Sequence, residues 1–301
     1  PSNYTRLILS RNAPAFHSAY LRKSEATASD LPLLKWLGPW DGEVFFGVTD
    51  DAGQPDDALF FGMRARFRPI ENLELDFVRT AQFGGAGQPQ DGETLLRVLF
   101  GSTNSGAASG ANQMAGVGIS YSFPGLAEGA RIYYQAVGED EAGGLPSCFL
   151  QLGGVELKTS VFGLPSTFTL EHTDTRVDFS SNNFCGPNTA YNNATYAYTH
   201  RGTVLGSAID SESVSTALYA SHDIGSLVAD WSVGHYQIND QSNPAHRLSS
   251  TRTDGILVSA GISQALLGGT LRAQIVHQDF ELDTADMPAG TRLGLSFEAS
   301  F

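Results

Sequence analysis

Three arginines at alternate positions, Arg64, Arg66 and Arg68, are followed after a short turn signal by two acids, Glu74 and Asp76. Residues two apart in an extended strand lie on one face, so the three guanidinium groups should form a row. If the two segments pair, opposite charges on neighbouring strands come within reach of each other. Because buried charges need partners, a ladder of ion pairs is the simpler interpretation. The alternative is an anion-selective path, since charged linings tune what passes.

Charges of both signs recur where alternation places residues on the same, inward-facing side of other segments. These residues are Arg131, Glu156, Lys158, Glu171, Asp230, Arg272 and Glu298. A mixture of signs favours a packed or plugged interior over a filter of one sign.

The seven histidines form no recognisable catalytic or metal-binding pattern. His172 falls on the apolar side of an alternating segment, while His277 lies where an alternation changes phase, which predicts a bulge. A covalent mechanism needs a nucleophile with a base beside it, and zinc sites need closely spaced histidines or cysteines. No glycine-rich phosphate loop follows a strand into a helix. We therefore predict no catalytic residue, no metal site and no cofactor.

A long polar segment, residues 178–211, is rich in asparagine, threonine and tyrosine. Such composition is also common in ordinary exposed loops. However, amides and hydroxyls pair with sugar hydroxyls, and aromatic rings cover the apolar faces of sugars. With the acidic run at 139–141, it predicts an exposed rim that binds a glycan. The candidate rim residues are Glu139, Asp140, Glu141, Tyr191, Tyr196, Tyr198, His200 and Arg201.

The charges of this rim have opposite consequences for an anionic glycan. Arg201 would pair with a uronate carboxylate. The three acids would repel the same glycan unless a divalent cation bridges them.

The two cysteines, Cys148 and Cys185, border or lie in two successive polar connections. Alternating strands place both connections on one side, so we predict a disulfide between them. Such a bond would restrict a long loop, and exported proteins usually avoid unpaired thiols.

The elements that would position these residues are strands. Charged residues make up 17% of the 301 residues, against about 25% in an average soluble domain. The chain nevertheless has no run of about 18 apolar residues that would form a spanning helix. Low charge with weak alternating segments is typical of a transmembrane β-barrel. The net charge of −14 argues against nucleic acid as a partner, because phosphate binding needs a basic face.

The last segment shows the alternation most clearly, with Leu293, Leu295 and Phe297 separated by small or polar residues before the terminal Phe301. It resembles the C-terminal strand of outer-membrane proteins that the barrel-assembly machinery recognises. The alternation predicts that one set of side chains faces lipid, namely Phe67, Leu75, Ile119, Leu295 and Phe297. It predicts that another set faces the interior, namely Arg66, Glu74, Asp76 and Glu298.

Short turns alternate along the chain with longer polar connections, among them residues 83–112 and 138–147, as in outer-membrane barrels. Counting back from the end predicts an all-β, antiparallel up-and-down barrel with about fourteen strands. The first strand would be at residues 5–10. We expect one domain spanning residues 1–301, with both termini periplasmic and the long loops extracellular. The pattern is compatible with a monomer and with contact to outer-membrane lipid and lipopolysaccharide.

Several phrases, in order along nearly the whole chain, resemble the Wzi-type capsule-assembly proteins of the outer membrane. They are 33–40 (LLKWLGPW), 62–69 (GMRARFRP), 81–89 (AQFGGAGQP), 112–118 (NQMAGVG), 133–141 (YYQAVGEDE), 152–157 (LGGVEL), 170–173 (LEHT) and 200–206 (HRGTVLG).

This resemblance implies an eighteen-stranded barrel that acts as a lectin for capsular polysaccharide or exopolysaccharide at the cell surface. It also implies a periplasmic helical bundle and about four strands before the point where this sequence begins, so this chain would be the C-terminal part. It brings no catalytic residue. The alternative function is a porin or transport channel for small solutes or oligosaccharides. A one-sign interior would favour the channel, whereas mixed charges and Asn/Tyr-rich loops favour glycan binding.

Overall fold

A single antiparallel sheet of thirteen strands dominates the computed structural model, which describes residues 2, 4–32, 34–101, 110–142, 145–177 and 185–299. Strands adjacent in sequence are neighbours in the sheet, except that β8 pairs with β11. The two strands between them form a separate small hairpin. The all-β, antiparallel prediction is therefore confirmed.

The elements have the following bounds. They are β1 (Ser18–Thr27), a 3-10 turn (Lys35–Leu37), β2 (Trp40–Thr49), β3 (Ala58–Phe67), β4 (Leu73–Phe83), α1 (Gly92–Phe100), β5 (Asn112–Phe123), β6 (Ala130–Ala142), β7 (Leu145–Val161), β8 (Leu164–Asp174), β9 (Thr199–His200), β10 (Thr203–Val204), β11 (Val214–Ile224), β12 (Leu227–Ile238), β13 (Thr253–Leu266), β14 (Gly269–Gln278) and β15 (Gly290–Ala299).

Tight turns fix the register where the chain reverses between neighbouring strands. Phe162 and Gly163 join β7 to β8, and Leu267 and Gly268 join β13 to β14, all four with positive φ. Two central residues with positive φ are the signature of a type I′ turn, whose twist matches that of the flanking strands. The alternation on each side then assigns apolar side chains to one face and polar ones to the other.

The beginning of the chain differs from the prediction. Residues 5–10 do not form a strand; Leu7 and Ile8 are buried against other parts of the chain. A short apolar run has the same sequence pattern whether it forms a strand or packs into a core without regular structure. The first strand is Ser18–Thr27, so the described strands of the sheet number thirteen rather than fourteen. A chain that runs up and down through an odd number of strands enters and leaves the sheet on opposite sides. The strand count therefore no longer supports the prediction that both termini are periplasmic.

Two connections predicted to be long polar loops also differ. The segment around residues 138–147 is largely strand, because β6 continues to Ala142 and β7 begins at Leu145. The connection from Phe83 to Asn112 contains α1, whose Asp91 caps the helix by accepting a hydrogen bond from the backbone N–H of Thr94 at 2.8 Å. The bulge predicted at His277 is absent from β14, which pairs with β15 in continuous register and ends at Gln278.

Helix α1 packs on the apolar face of the sheet. Val98 is buried with Phe61 of β3 and with Phe83 of β4. Arg79, on the same face, donates to the carbonyl of Leu99 at 2.8 Å, where a cation stabilises the end of a helix. Nowhere in the described part of the chain is a helix long and apolar enough to cross a membrane.

The chain separates into two compact units. Unit 1 comprises residues 1–121, 133–152 and 175–212, and unit 2 comprises residues 122–132, 153–174 and 213–301. The main core of unit 1 lies on the polar face of its strands, where Phe45 and Phe60 pack against the N-terminal segment and residues 185–206. In unit 2, β11 to β15 pair in uninterrupted register.

Candidate functional site

The arginine row of β3 lies on the polar face of unit 1, and each of its members contacts an acid. Arg64 donates through Nε to Oδ1 of Asp76 at 3.0 Å. The Nη2 atom of Arg68 lies 2.9 Å from Oε2 of Glu74. Cross-strand pairing between β3 and β4 brings these opposite charges together.

A third acid, Asp41 of β2, completes the ladder. Its Oδ1 lies 2.7 Å from Nη2 of Arg66 and its Oδ2 lies 3.4 Å from Nη2 of Arg68. Asp41 is 7% exposed, so it depends on these two guanidinium groups for compensation. The sequence analysis did not single out Asp41. The alternation of Asp41, Glu43 and Phe45 along β2 was the available signal.

Unit 2 contains similar pairs. Arg131 lies 3.1 Å from Glu156, and Arg272 makes two contacts with Asp230, at 2.6 and 2.8 Å. In both pairs, charges of opposite sign neutralise one another. This arrangement fits a structural ladder better than a path lined by one sign.

The predicted rim residues are mostly interior. The prediction that they are exposed is wrong for Tyr191, Tyr196, Tyr198 and His200, none of which is more than 2% exposed, and for Glu139, which is 7% exposed. Among the rim residues whose side chains are described, only Arg201 is exposed as predicted. Asp140 and Glu141 belong to β6, but their side chains lie outside the description.

The three tyrosines use their hydroxyls to bind residues 185–206 to the rest of unit 1. Tyr191 donates to the carbonyl of Leu7 at 2.7 Å, and Tyr196 donates to the carbonyl of Gly84 at 2.8 Å. The hydroxyl of Tyr198 lies 3.0 Å from that of Thr80 on β4. Polar aromatic residues thus serve here as interior packing groups with satisfied hydroxyls.

Burial governs the ionisation of these phenols. It raises the pKa of Tyr196 to about 12 and holds the pKa of Tyr191 and of Tyr198 well above the usual range. The cause is desolvation, which disfavours the phenolate. All three hydroxyls therefore remain neutral hydrogen-bonding groups at ordinary pH.

Gly206 permits the tight packing of this segment. The rings of Tyr191 and Tyr198 stack with centroids 5.9 Å apart. A Cβ atom added at Gly206 would lie 2.3 Å from the Tyr191 ring. The glycine that closes the phrase at 200–206 is thus required for close approach.

A small hairpin carries the exposed part of the segment. β9 and β10 place Arg201 at the tip. The Arg201 backbone N–H donates to the carbonyl of Asp50 at 2.9 Å, and the N–H of Gly202 donates to Oδ2 of Asp51 at 3.0 Å. Nδ1 of His200 accepts from the Asp50 N–H at 3.0 Å. The hairpin is therefore held against the connection between β2 and β3, with the Arg201 side chain in solvent.

Cys148 and Cys185 form a disulfide within unit 1. Both are buried in the cluster that contains the stacked tyrosines. The bond anchors the start of the described segment 185–212 to strand β7. Residues 178–184, which were part of the predicted rim, lie outside the description.

One serine–histidine pair on unit 2 resembles the beginning of a catalytic site. Oγ of Ser166 lies 2.8 Å from Nδ1 of His222, but Nε2 of His222 accepts a hydrogen bond from the indole N–H of Trp231 at 3.2 Å. A neutral histidine that accepts at Nε2 carries its proton on Nδ1 and donates to the serine. It cannot act as a base toward that serine, so the pair lacks the geometry of nucleophilic catalysis.

Within the described residues, no three carboxylate, histidine or cysteine side chains are arranged to hold a metal ion. Cation bridging of the acids at 139–141 remains a prediction, since two of those side chains are outside the description.

Comparison with known proteins identifies the family. A family model described as capsule assembly protein Wzi matches residues 1–270. The chain belongs to the Wzi capsule assembly family. The resemblance carried by the ordered phrases is thereby confirmed.

Two similar proteins are a curated sequence and a solved structure. An uncharacterised 55.8 kDa protein in the cps region of Klebsiella pneumoniae is 33% identical over 138 residues, covering 45% of this chain and 27% of that protein. The solved structure of Wzi from Escherichia coli superposes with a TM-score of 0.79 at 22% identity. It is described as an outer membrane protein involved in group 1 capsule assembly and as a carbohydrate-binding β-barrel.

The superposition with Wzi covers 99% of this chain and 64% of the Wzi chain. The chain therefore spans less than two thirds of the length of either relative. At this identity the likeness to Wzi establishes the fold of the sheet.

Proposed function

We propose that this chain is part of an outer-membrane protein that binds exported capsular polysaccharide or exopolysaccharide and helps to hold it at the cell surface. The observation that carries the proposal is the match to the capsule assembly family over residues 1–270. The likeness of the sheet to a carbohydrate-binding barrel supports it. The activity is one of binding, with no catalytic step.

The apolar face of the sheet supports the membrane location. Leu293 and Leu295 of β15 are 81% and 76% exposed, and Ile119 and Phe297 are about half exposed. Exposed apolar area on this scale is unfavourable in water but suits lipid. In this proposal the sheet is part of a closed barrel whose polar face lines the interior and whose long connections are extracellular.

The packing of residues 185–206 favours binding over conduction. This segment covers the polar face of the strands near Phe60 and Thr80 and is held there by buried hydroxyls and a disulfide. The Arg64–Asp76 pair lies farther along the same face of β3 and β4. An open pore needs an uncovered, charged lining. A polar face that is covered and has its charges paired fits a protein that binds a glycan at its surface better than it fits a channel.

Because the tyrosines are buried, the proposed glycan contacts are made by exposed groups around the hairpin of β9 and β10. Arg201 is the strongest of these, because a guanidinium binds a sugar carboxylate through two parallel hydrogen bonds. Each contact is weak, and repetition along a polymer would supply the avidity.

The test is polysaccharide retention by cells that lack their own copy of the gene and carry the full-length protein or a variant. Arg201→Ala should reduce cell-associated polysaccharide and increase the shed fraction. Lys35→Ala, which removes an exposed cation in the 3-10 turn Lys35–Leu37, is the matched control and should retain the wild-type amount. If the intact protein assembles yet retains no more polysaccharide than empty cells, the proposal is wrong. Large, stable conductance steps would then favour the channel.

A further inference from the structure

Three outward-facing histidines of unit 2 lie near one level of the sheet. His172, His235 and His277 belong to β8, β12 and β14 and are all exposed. They share the face of the apolar residues that precede them, Leu170 and Val233 among others. Scattered in the sequence, they become neighbours only through the strand register.

The register connects them into a belt. Thr216 of β11 is the cross-strand partner of both His172 and His235, and Thr291 of β15 is the partner of His277. Asp254 of β13 contacts His235 from the strand between. The belt consists of His172, Thr216, His235, Asp254, His277 and Thr291.

Each histidine has one ring nitrogen tied to a neighbouring strand. Nδ1 of His172 lies 2.8 Å from Oγ1 of Thr216, and Nδ1 of His277 lies 2.9 Å from Oγ1 of Thr291. Nε2 of His235 lies 2.8 Å from Oδ1 of Asp254. Among the described residues, the other nitrogen of each ring has no hydrogen-bond partner. A fixed ring orientation with an outward nitrogen is the arrangement of a binding group.

The position of the belt matches one edge of a bilayer. His235 is nine residues beyond the turn residue Ser226, and His277 is nine residues beyond Gly268. Nine residues of strand extend about 30 Å, which at the usual tilt of such strands spans about 21–25 Å, close to the apolar band of about 25 Å. The exposed side chains between, such as Trp231 and Ile275, are apolar. The belt therefore marks the boundary on the side of the long connections.

We propose that this belt binds the phosphate groups of lipid headgroups in the leaflet on the side of the long connections. The chemistry is direct for two of the rings. When the threonine hydroxyl donates to Nδ1, the proton is on Nε2, which then faces outward as a donor suited to a phosphate oxygen. In the third, Nε2 of His235 donates to the carboxylate of Asp254, which also accepts from Gln237; the outward Nδ1 of this neutral ring is then an acceptor, so His235 holds Asp254 in place and the two other rings supply the donors to phosphate. This inference rests on the membrane location in the proposed function.

The test compares bilayers with and without phosphate. The full-length protein is placed in nanodiscs of phosphatidylcholine containing lipid A, or in nanodiscs of galactolipid, which has no phosphate. The thermal unfolding midpoint of the wild type should be higher in the phosphate bilayer. The triple variant His172→Leu, His235→Leu, His277→Leu should lose most of that difference, and the glutamine triple variant, which keeps donors, should retain more of it.

The matched control adds apolar bulk to the same outward face. The variant Ala229→Leu, Ala260→Leu, Ala273→Leu changes β12, β13 and β14 within the apolar band and should keep the wild-type dependence on phosphate. An equal dependence in the wild type and the histidine-to-leucine variant would overturn the inference, as would no dependence in the inserted wild type. Failure to insert into either bilayer would instead contradict the membrane location itself.

Discussion

At the level of single residues, buried polar groups of unit 1 make specific contacts between separate segments of the chain. Asp41 contacts two arginines, and three tyrosine hydroxyls each reach a partner on another segment. A buried polar group that loses its partner costs the full desolvation penalty. Substitutions at these positions should therefore affect stability before they affect any surface property.

Asp41→Asn should lower the free energy of unfolding by about 1–3 kcal/mol, because it removes the charge that compensates Arg66 and Arg68 on the polar face. The expected loss is smaller than for a fully buried ion pair, because both arginines are partly exposed to solvent. Denaturant unfolding of the folded protein in detergent would measure it. Asp223→Asn, at an exposed strand end, is the control and should change little. Equal midpoints for the two variants would show that the ladder contributes no stability.

Alkaline pH should release residues 185–206. The pKa of Tyr196 is about 12 in the folded state, against about 10 in an unfolded chain. A raised pKa means that its stabilising effect is complete below about pH 10 and is lost as the pH rises through 12. Protease sensitivity of this segment should increase over that window, in the wild type and in the exposed control Tyr20→Phe alike. Unchanged protection of residues 185–206 once the pH has risen through 12 would contradict this account.

At the level of elements, alternation and turn chemistry predicted most of the sheet. The arginine row, the pairing of β3 with β4 and the exposed face of β15 follow from period-two patterns. Tertiary packing decided the rest. Residues 5–10 satisfy a strand pattern but pack as irregular chain, and the tyrosines of 185–206 have the composition of an exposed loop although they are interior. Composition does not encode burial, because the same groups bind sugars or backbone carbonyls.

Helix α1 was missed for a different reason. Its sequence holds a capping aspartate, Asp91, and apolar residues at helical spacing, Leu95 and Val98. These signals lay within a connection whose length and polarity predicted a loop. The periodicity was readable, but the apolar face that α1 covers is assembled only in the folded sheet.

The disulfide should matter more for the segment that follows it than for the strands. Reduction, or the double variant Cys148→Ser, Cys185→Ser, should lower the free energy of unfolding by about 2–4 kcal/mol, as expected for a bond that closes a loop of this order. Denaturant unfolding of oxidised and reduced samples would measure the loss. Faster proteolysis of residues 185–206 should accompany it. Unchanged midpoints would mean that the tyrosine cluster alone holds the segment.

The two faces of β15 should differ in their tolerance of charge. Leu295→Arg should impair folding into bilayers more than Ser296→Arg, by about 2–4 kcal/mol near the midplane, because only the former puts a cation on the apolar face. Folding yields into phospholipid vesicles would measure the difference. The neighbouring position is the matched control, since both variants add one arginine to the same strand. Equal yields would indicate that the apolar face does not contact lipid.

At the level of the whole molecule, the proposed function makes the sheet a rigid support for an exposed glycan-binding surface. In this account the apolar face meets lipid, the polar face is filled by paired charges and by residues 185–206, and the exposed hairpin around Arg201 meets the glycan. The arrangement explains why a chain of low charge content keeps acids and arginines on one side of its strands.

The most direct test of this account is the amount of surface polysaccharide, purified from the source organism, that sediments with proteoliposomes containing the full-length protein. The account predicts more bound polysaccharide than with protein-free liposomes, and a reduced amount with Arg201→Ala at equal protein content. Sedimentation no greater than that of protein-free liposomes, with correctly folded protein present, would contradict it.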